Sequence, residues 1–592
     1  MRGRSPILRA WRPAKTQSGQ IVLFHGWIDN AAELADKIAA PPNDLAAFYG
    51  AAVERWGDEA DQRLIGWYCA VIDDRESGLS RLSRSALQGP PLHYFEQDGT
   101  IGVASVPRVL ETMGLRRELN TERLAESLFF LHDSDAGYLK GARRVPYGTI
   151  VKLARGRREL VTFHDPLAIQ PLPPAPVEEY VREVDRLLSE GVARIHAGAR
   201  RPGLLLTGGL DSSNVAARLV GGLSAERQVP TFTYVPLPDH GVPDLPGCLL
   251  DEGPAVLEFC RQFPQLQPHL VRNEGIGFDH RLDDMLLAMG TGSVNSAILF
   301  RYHGLYAAAR EQGCDMLLSS DLGNLSFSSE GNWAFSEYLV TRRWRQLWMA
   351  VKGYDRHPGS LFWRFCSRSV VPLLPDPLWR LAMKLRGADP AAANDQISGL
   401  RGEVIARFDL RRRARAAGTH FERNWPASRR QILLDNFGRG DVDGADMIQG
   451  FEQLYEVSMR DATAYRPLVD FCIGLPTDVF MRDGVSRWLA RELGKGLMPE
   501  PQRQMRGHGQ HNTDWYLRYT PKLPEMREAV AEIRRNPMLN DLLDADRLEA
   551  DLDNWPKQPT YNDEAMLAAT MRLPRSLAMV RYVKLMQGGN AS

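Results

Sequence analysis

Two glycines, an acid and two hydroxyl residues follow an apolar run between Leu204 and Ser213, where the sequence is LLLTGGLDSS. Glycines let backbone N–H groups approach a polyanion closely, and the N-terminus of a following helix adds a positive dipole end. Ser212 and Ser213 can donate hydrogen bonds to phosphate oxygens, and Asp211 can hold a cation. These residues predict binding of the pyrophosphate part of ATP with its metal ion. The alternative is a tight strand-to-helix turn with a serine cap.

The surrounding segments predict the elements that position this turn. Apolar runs indicate buried parallel strands, and apolar residues at helical spacing indicate amphipathic helices. The predicted elements are a helix over Val177–Ala197, strands at 204–206, Val229–Val235 and Cys314–Leu318, and a helix from Asp251 through Phe259. This alternation predicts a doubly wound parallel sheet, with ligands at the carboxyl ends of its strands.

Composition narrows the functional classes. A chain of 592 residues with 44% apolar and 25% charged residues is typical of a globular protein with two or more domains. A formal net charge of zero argues against binding nucleic acid over the whole surface. Neither a membrane span nor a signal peptide is expected from the apolar runs. Six scattered cysteines favour a reducing, cytoplasmic location without a zinc site or a disulfide framework.

The 204–213 stretch resembles the Ser-Gly-Gly-x-Asp-Ser loop of the ATP pyrophosphatases, with threonine at the first serine position. That resemblance implies cleavage of ATP between its α- and β-phosphates, and activation of a carboxylate as an acyl-adenylate that an amine then attacks. It implies ATP and Mg²⁺ as cofactors. The nucleotide-binding residues that it implies are Leu206, Thr207, Gly208, Gly209, Asp211, Ser212 and Ser213.

Two further strand ends are implicated by the same resemblance. The residue after the second strand contacts adenine in that family, which indicates Tyr234 or Val235. The family motif Ser-Gly-x-Gly-x-Asp corresponds here to Ser319-Ser320-Asp321-Leu322-Gly323-Asn324. Ser319, Ser320 and Asp321 would then contribute to nucleotide binding, and Asn324 would be a second, neutral metal ligand beside Asp211. Two alternatives remain: this loop is purely structural, and Asp251 and Glu252 are simple helix N-terminal acids rather than site residues.

The N-terminal part, residues 1–170, predicts a small β-rich (α+β) domain. Its strand-like segments are Ile21–Phe24, Gly66–Asp73, 90–95 and Ile101–Ser105. They are similar, in order, to class II glutamine amidotransferase domains, with His25 and Trp27 in place of the Asn and Glu that hold glutamine. Arg2 stands where that family has its cysteine nucleophile. We therefore expect a truncated, degenerate domain without glutaminase activity.

The remaining chain, residues 171–592, resembles the synthetase domain of asparagine and β-lactam synthetases. Arg460 is retained from one family motif, and 482–491 matches Asp-Gly-x-x-Lys-Trp-x-x-Arg with Arg487 for Lys. Those synthetases place a catalytic lysine in the segment that corresponds to 499–515. Arg506 is the expected cation here and Arg503 the second choice. His508 is a candidate base, or else a solvated loop histidine.

A basic insertion occupies about 341–430, with 19 Lys and Arg against 7 Asp and Glu. Its interleaved tryptophans are Trp344, Trp348, Trp363 and Trp379. One interpretation is solvated helix faces with buried tryptophans. The other is a docking surface for an acidic polypeptide partner or substrate.

This combination resembles the lasso peptide macrolactam synthetases most. The resemblance implies adenylation of an Asp or Glu side chain of a precursor peptide and capture by the peptide's own N-terminal amine. It also implies a leader-peptide recognition protein and a leader protease as partners. Two alternatives remain: amidation of a small acid, as in asparagine or β-lactam synthetases, and a catalytically inactive scaffold or binding protein.

Overall fold

The computed structural model describes residues 12–131, 134–154, 156–241, 248–292, 296–354, 360–385, 393–418, 425–437, 442–509, 512–560 and 563–588. Strands and helices are numbered below in chain order. The first part of the described chain is β-rich and the remainder combines a parallel sheet with many helices. The fold is therefore mixed α/β, as the sequence predicts.

An antiparallel sheet forms the N-terminal part. Six described strands lie in the order β1-β2-β3-β4-β8-β9, and three more lie in the order β6-β5-β7. Their bounds are β1 Ala14–Lys15, β2 Ile21–Ile28, β3 Gly66–Asp74, β4 Leu79–Arg84, β5 His93–Gln97, β6 Thr100–Ala104, β7 Arg143–Arg144, β8 Thr149–Ala154 and β9 Arg157–Thr162. The associated helices are α1 Ala31–Ile38, α2 Leu45–Trp56, α3 Ala60–Arg63 and α4 Thr121–Leu128. The strand predicted to end at Phe24 continues to Ile28, because the whole stretch pairs with β3 from Ile21↔Asp73 to Ile28↔Gly66.

A parallel sheet forms the centre of the second part. Its strands lie in the order β13-β11-β10-β14-β15. Their bounds are β10 Pro202–Leu205, β11 Val229–Tyr234, β13 Leu266–Val271, β14 Met316–Ser319 and β15 Ser458–Asp461. Successive residues of β14 enter different cores: Met316 and Leu318 pack on one face of the sheet, and Leu317 packs on the other. Both faces are thus covered, as in a doubly wound sheet. The two short remaining pairs join β12 Cys248–Leu249 to β18 His508–Gly509 and β16 Met481–Arg482 to β17 Val485–Ser486.

Helices surround this sheet, and many of them bury apolar side chains against it or against each other. Those before the third strand motif are α5 Val177–Ala197, α6 Leu210–Gly221, α7 Gly253–Arg261, α8 Leu282–Met289 and α9 Ser296–Glu311. The basic insertion and its flanks contain α10 Ala334–Val340, α11 Trp344–Gly353, α12 Leu361–Phe365, α13 Asp376–Lys384, α14 Ala393–Ile397, α15 Gly402–Arg407, α16 Leu410–Ala416, α17 Arg429–Phe437 and α18 Val442–Tyr455. The rest are α19 Arg466–Gly474, α20 Trp488–Leu493, α21 Glu500–Gln504, α22 Trp515–Tyr519, α23 Leu523–Arg535, α24 Pro537–Leu542, α25 Ala545–Asp553, α26 Asp563–Leu567 and α27 Leu573–Gly588. Within the described ranges, no helix is both long enough and apolar enough to cross a bilayer.

The two parts of the molecule share one hydrophobic core. Phe95, Leu124 and Tyr138 from the N-terminal part are buried in the same cluster as residues of α8 and α27. Tyr138 and Tyr582 meet edge to face with ring centroids 5.6 Å apart. Extensive burial between the parts indicates that neither is presented to solvent as an isolated unit. The boundary at residue 170 stays a prediction.

Candidate active site

The turn between β10 and α6 has the strand–turn–helix order that the sequence predicts. Gly209 is the N-cap of α6, and Leu206 N donates to Phe232 O across the sheet. The turn is closed by side chains, since Thr207 Oγ1 lies 2.9 Å from Ser212 Oγ and Thr207 N donates to that Oγ at 3.1 Å. The start of α6 therefore presents backbone N–H groups at the carboxyl edge of the sheet, the arrangement that favours phosphate.

Gln502 and Glu252, which lie outside this turn in the sequence, contact it. Gln502 of α21 donates from Nε2 to Ser213 Oγ at 2.8 Å and to Gly208 O at 3.2 Å, while its Oε1 is buried without a hydrogen-bond partner. Ser213 is fully buried, so its hydroxyl meets Gln502 rather than an open surface. Burial raises the pKa of Glu252, whose carboxylate is also within reach of Gly208 N–H. Gln502 was not singled out from the sequence, although it lies inside the 499–515 segment that was.

The two expected metal ligands lie together. Asp211 Oδ1, Asp211 Oδ2 and Asn324 Oδ1 accept hydrogen bonds from Arg487 Nη2 at 2.8, 2.7 and 2.9 Å. Three oxygens from two strand ends thus converge on one cationic nitrogen. Gly323 makes this approach possible, because a Cβ there would lie 2.9 Å from Asp211 Cγ.

From the sequence, Arg487 is only a match to the family motif at 482–491, and no role in the site is predicted for it. It is the N-cap of α20 and has a φ of 55°, a left-handed conformation that costs a non-glycine residue about 1 kcal/mol or more. Its guanidinium also donates to Ser328 Oγ. Such a conformation is retained where surrounding contacts require it, and here it points the cation at Asp211.

Asp321 and Asp461 add negative charge at the same edge of the sheet. Desolvation of the carboxyl group and the carboxylates of Asp461 and Asp211 raise the pKa of Asp321 to about 6, although the residue as a whole is exposed, while its hydrogen bond from Ser319 opposes the shift. Burial also raises the pKa of Asp461, which accepts from Leu322 N at 2.6 Å and from Thr463. Ser320 is the N-cap of the short 3₁₀ turn that follows β14 and makes no side-chain capping bond. Asp461 was missed because only its neighbour Arg460 matched a motif.

The expected adenine contacts at the end of β11 are engaged in the fold. Tyr234 Oη donates to Asp514 at 2.9 Å, and Arg518 pairs with the same carboxylate. Val235 is buried and its N–H donates to Val271 O. The role of Tyr234 and Val235 in adenine binding stays a prediction. Because the Tyr234 hydroxyl and the Val235 N–H already have partners, other atoms at this strand end would contact adenine.

Two of the three candidate catalytic residues, Arg503 and Arg506, have hydrogen-bond partners outside the 206–213 turn. Arg503 pairs with Glu500 and donates to Arg491 O at 3.1 Å, so it fixes α21 locally. Arg506 is exposed and donates to Gly353 O at 3.3 Å. The backbone of His508 pairs with Cys248, while its side chain lies outside the described residues. Asp251 accepts from Gly253 N at 2.8 Å, as the simpler helix-acid alternative requires.

The His25–Asn30 segment faces the synthetase part rather than an opening of its own. Arg460 donates to both carboxylate oxygens of Asp29 at 3.0 and 2.8 Å, with both side chains less than a tenth exposed. The Arg460 guanidinium also lies 5.0 Å from the Trp27 ring centre. Burial lowers the pKa of His25 to about 4. Trp27 and Asp29, from the segment that was expected to resemble a glutamine-binding motif, contact Arg460 of the second part of the chain.

A cavity of about 890 Å³ lies between the same two parts. Its synthetase wall includes Asp321, Leu322 and Asn324, and its N-terminal wall includes Trp67 and Arg84. The cavity therefore reaches from the third strand motif to the antiparallel sheet. Its volume is in the range of about 300–1,000 Å³ that is typical of sites for drug-sized ligands.

The donor set fits a nucleotide triphosphate with a divalent cation. Amides at the start of α6 suit phosphate, and the three oxygens that meet Arg487 suit one cation. In the described part of the chain, no group of three or more His, Cys, Asp or Glu side chains is placed to hold a metal ion. A cation here would therefore rely on Asp211, the amide oxygen of Asn324, water and the nucleotide's own phosphates.

Comparison with known proteins gives a family for two thirds of the chain. The asparagine synthase family model matches residues 183–578. Among solved structures, a glutamine phosphoribosylpyrophosphate amidotransferase from B. subtilis, complexed with ADP and GMP, aligns at 11% identity with a TM-score of 0.19. That alignment covers 45% of this chain, which spans about half (50%) of the amidotransferase chain. No curated protein matches the sequence.

Proposed function

The chain belongs to the asparagine synthase family, and on this premise we propose that it closes a macrolactam ring in a precursor peptide, as lasso peptide macrolactam synthetases do. Membership supports ATP-dependent amide-bond formation through adenylation. The identity of the acid and of the amine is the further step of the proposal. The acid is an Asp or Glu side chain of the peptide, and the amine is the peptide's own N-terminus.

The proposed reaction has two parts. A side-chain carboxylate oxygen bonds to the α-phosphorus of ATP and pyrophosphate leaves, after which the peptide amine bonds to the acyl carbon and AMP leaves with the carboxylate oxygen. The amine loses one proton to a base. Holding the acid and the amine on one folded peptide reduces the entropic cost of ring closure.

The residues of this chain bind and orient the reactants. Amides of Gly208 and Gly209 and the hydroxyls of Thr207 and Ser212 are the proposed pyrophosphate contacts, with Ser213 acting through the turn that Gln502 holds. Asp211 and Asn324 are the proposed cation ligands. When phosphate is bound, we expect the Arg487 guanidinium to exchange part of its contact with Asp211 for phosphate oxygens, because both anions compete for the same cation.

The observation that carries the peptide assignment is the cavity beside Asp321 and Asn324. Ammonia would need only a narrow passage, whereas about 890 Å³ accommodates a folded peptide segment that brings its own amine. Its walls combine aromatic and apolar groups with charged ones, including Trp67, Arg84 and Asp135. This mixture suits an acidic side chain within a peptide better than a small polar acid alone. By resemblance, a leader-peptide recognition protein and a leader protease are the proposed partners.

The test uses the purified full chain, Mg²⁺, ATP and candidate precursor peptides that carry an Asp or Glu a few residues from a free N-terminus. The proposal expects pyrophosphate and AMP in equal amounts with a peptide product lighter by one water. Amidation of aspartate or another small acid with free ammonia, without peptide cyclisation, would support the small-acid alternative instead. A scaffold would be indicated if none of these acids leads to pyrophosphate release and the protein does not bind Mg·ATP.

A further inference from the structure

Large apolar side chains that lie exposed are concentrated in one stretch of the sequence. Of the sixteen such residues in the described chain, eleven belong to residues 340–385. Trp344, Trp348, Phe362 and Trp363 are 59, 56, 68 and 58% exposed. Single exposed apolar residues are ordinary on protein surfaces, but a group of this kind marks a site of interaction.

Packing of α11 explains why its tryptophans face outward. Leu347, Ala350 and Val351 of this helix are buried in a small core with α10. Trp344 and Trp348 are four residues apart and lie outside that buried stripe. The interpretation that the four tryptophans of the insertion are buried is therefore wrong for Trp344, Trp348 and Trp363, and right only for Trp379.

Along the chain, the next exposed apolar residues belong to α12 and to the region of α13. Helix α12 packs beside α11, and the Phe362 and Trp363 rings meet at 6.2 Å. Helix α13 then exposes Leu378, Leu381 and Leu385, spaced three and four residues apart. We call the exposed aromatic residues of α11 and α12, namely Trp344, Trp348, Phe362 and Trp363, the tryptophan face.

Charges around the tryptophan face have one dominant sign. Residues 340–385 contain nine Lys and Arg and two Asp and Glu. Arg342, Arg345 and Lys352 are exposed, and Lys352 lies one turn beyond Trp348 on the same side of α11. Arg343, by contrast, pairs with Asp478. The exposed cations therefore border the aromatic side chains and fit an extended anionic partner.

We propose that the tryptophan face docks the protein onto the surface of a bilayer that contains anionic lipids. The indole and phenyl rings enter the headgroup region, where amphipathic aromatic side chains are favoured, and Arg342, Arg345 and Lys352 meet lipid phosphates. A bilayer fits better than an acidic protein because aromatic and leucine side chains project from several short helices. A lipid surface accepts such projections at any position, whereas a protein partner would need a matching pocket for each. Peripheral docking of this kind needs no membrane-spanning helix and is independent of the reaction proposed above.

The experiment is flotation of the full-length protein with vesicles of phosphatidylcholine alone or with about a quarter phosphatidylglycerol. We expect binding to the anionic vesicles that weakens with salt, a blue shift of tryptophan emission, and little binding to pure phosphatidylcholine. Replacing both Trp344 and Trp348 by Ala should weaken binding by about 10-fold or more. Leu257→Ser, at an exposed apolar residue elsewhere, is the matched control and should bind like the wild type.

Several outcomes would overturn the proposal. Absence of binding to anionic vesicles is one, and equal loss in the Leu257→Ser control is another. Capture by poly-glutamate but not by vesicles would assign the face to an acidic polypeptide. A wild-type dimer that becomes monomeric in the double tryptophan variant would assign it to a second copy of this chain. Unchanged thermal unfolding of the variants, expected because these side chains are exposed, keeps misfolding apart from lost docking.

Discussion

The turn at 206–213 and the segment at 25–30 both place polar residues at the end of a strand, yet they use them differently. In the 206–213 turn, backbone amides at the start of α6 lie at the edge of the parallel sheet, and Asp211 accepts a hydrogen bond from the Arg487 guanidinium. In the 25–30 segment, Asp29 is paired with Arg460 in the interior and His25 is buried with a lowered pKa. In the proposed function the first region receives a ligand, whereas the Asp29–Arg460 pair of the second region joins two parts of the chain.

The two regions thus differ in how accessible the partner of their acid is. Asp29 and Arg460 are a buried, bidentate pair, whose hydrogen bonds offset the cost of removing both ions from water only while both partners remain. Asp211 is partnered by Arg487, which a phosphate can also engage. Substitutions should therefore separate an effect on activity at the turn from an effect on stability at the segment.

The largest expected effect is loss of turnover on Asp211→Ala. Removing the only charged candidate ligand of the cation should abolish pyrophosphate release, by at least roughly 1,000-fold, or about 4 kcal/mol of transition-state stabilisation. Steady-state assays with a peptide that the wild type cyclises measure this. Thermal unfolding serves as the control for folding. Turnover within 10-fold of the wild type would refute the assignment of Asp211 to the cation.

The second effect concerns stability at the segment. Arg460→Met should lower the free energy of unfolding by about 3–5 kcal/mol, because it leaves the Asp29 carboxylate buried and unpaired. The double variant Asp29→Asn with Arg460→Met should recover part of that loss. Urea unfolding of both variants measures the difference. A single variant as stable as the wild type would show that this pair does not join the two parts.

The third effect is a pH slope of stability at Asp321. Because its pKa is raised from the ordinary 3.8 to about 6 in the fold, the protonated acid is favoured there. Its stabilising contribution is present below pH 3.8 and is lost as the pH rises through about 6, and solvent screening at this exposed residue reduces its size. Asp321→Asn should flatten that decline in unfolding experiments between pH 4 and pH 7. Equal slopes in the two proteins would contradict a raised pKa at Asp321.

The fourth effect separates Arg487 from a neighbouring arginine in the same motif. Arg487→Met should reduce turnover and raise the KM for ATP, since a charge-assisted contact is lost. Together these changes should lower kcat/KM by roughly 10- to 100-fold. Arg487→Lys should restore most of it. Arg482→Met, at an exposed arginine that stacks on Trp488, is the matched control and should change kcat/KM little. Equal losses in both methionine variants would argue against a special role for Arg487.

The smallest effect is expected at Gln502. Gln502→Ala removes the hydrogen bonds to Ser213 and Gly208 and should raise the KM for ATP up to about 10-fold, equivalent to about 1 kcal/mol. Gln504→Ala, two residues away and exposed, should leave the KM unchanged. Titration of ATP at fixed peptide distinguishes them. If the two variants behave alike, the turn does not depend on support from α21.

The sequence predicted the local parts of this fold well because local signals determine them. Apolar runs located β10, β11 and β14, and the glycine-rich turn between β10 and α6 needs only neighbouring residues. The mixed α/β class and the family follow from the same signals. Strand ends were less certain: β2 extends through Trp27 because pairing with β3, a tertiary contact, continues beyond the apolar run.

Contacts between distant segments could not be predicted in this way. Arg487, Gln502 and Asp461 reach the turn from more than 200 residues away, and only the folded chain brings them there. The outward position of Trp344 was equally hidden, because the same helical spacing allows either side of α11 to pack inward. The side chains of Arg503 and Arg506 are engaged elsewhere, and their catalytic role stays a prediction.

The proposed function depends on the turn at 206–213, which we expect to bind the phosphates of ATP together with a cation held by Asp211. Amide hydrogen exchange with Mg²⁺ and α,β-methylene ATP, a non-cleavable analogue, tests it most directly. We expect the analogue to slow amide exchange across 206–213 in the wild type and to leave that exchange unchanged in Asp211→Ala. Unchanged exchange at this turn while the analogue binds elsewhere, or equal protection in both proteins, would contradict it.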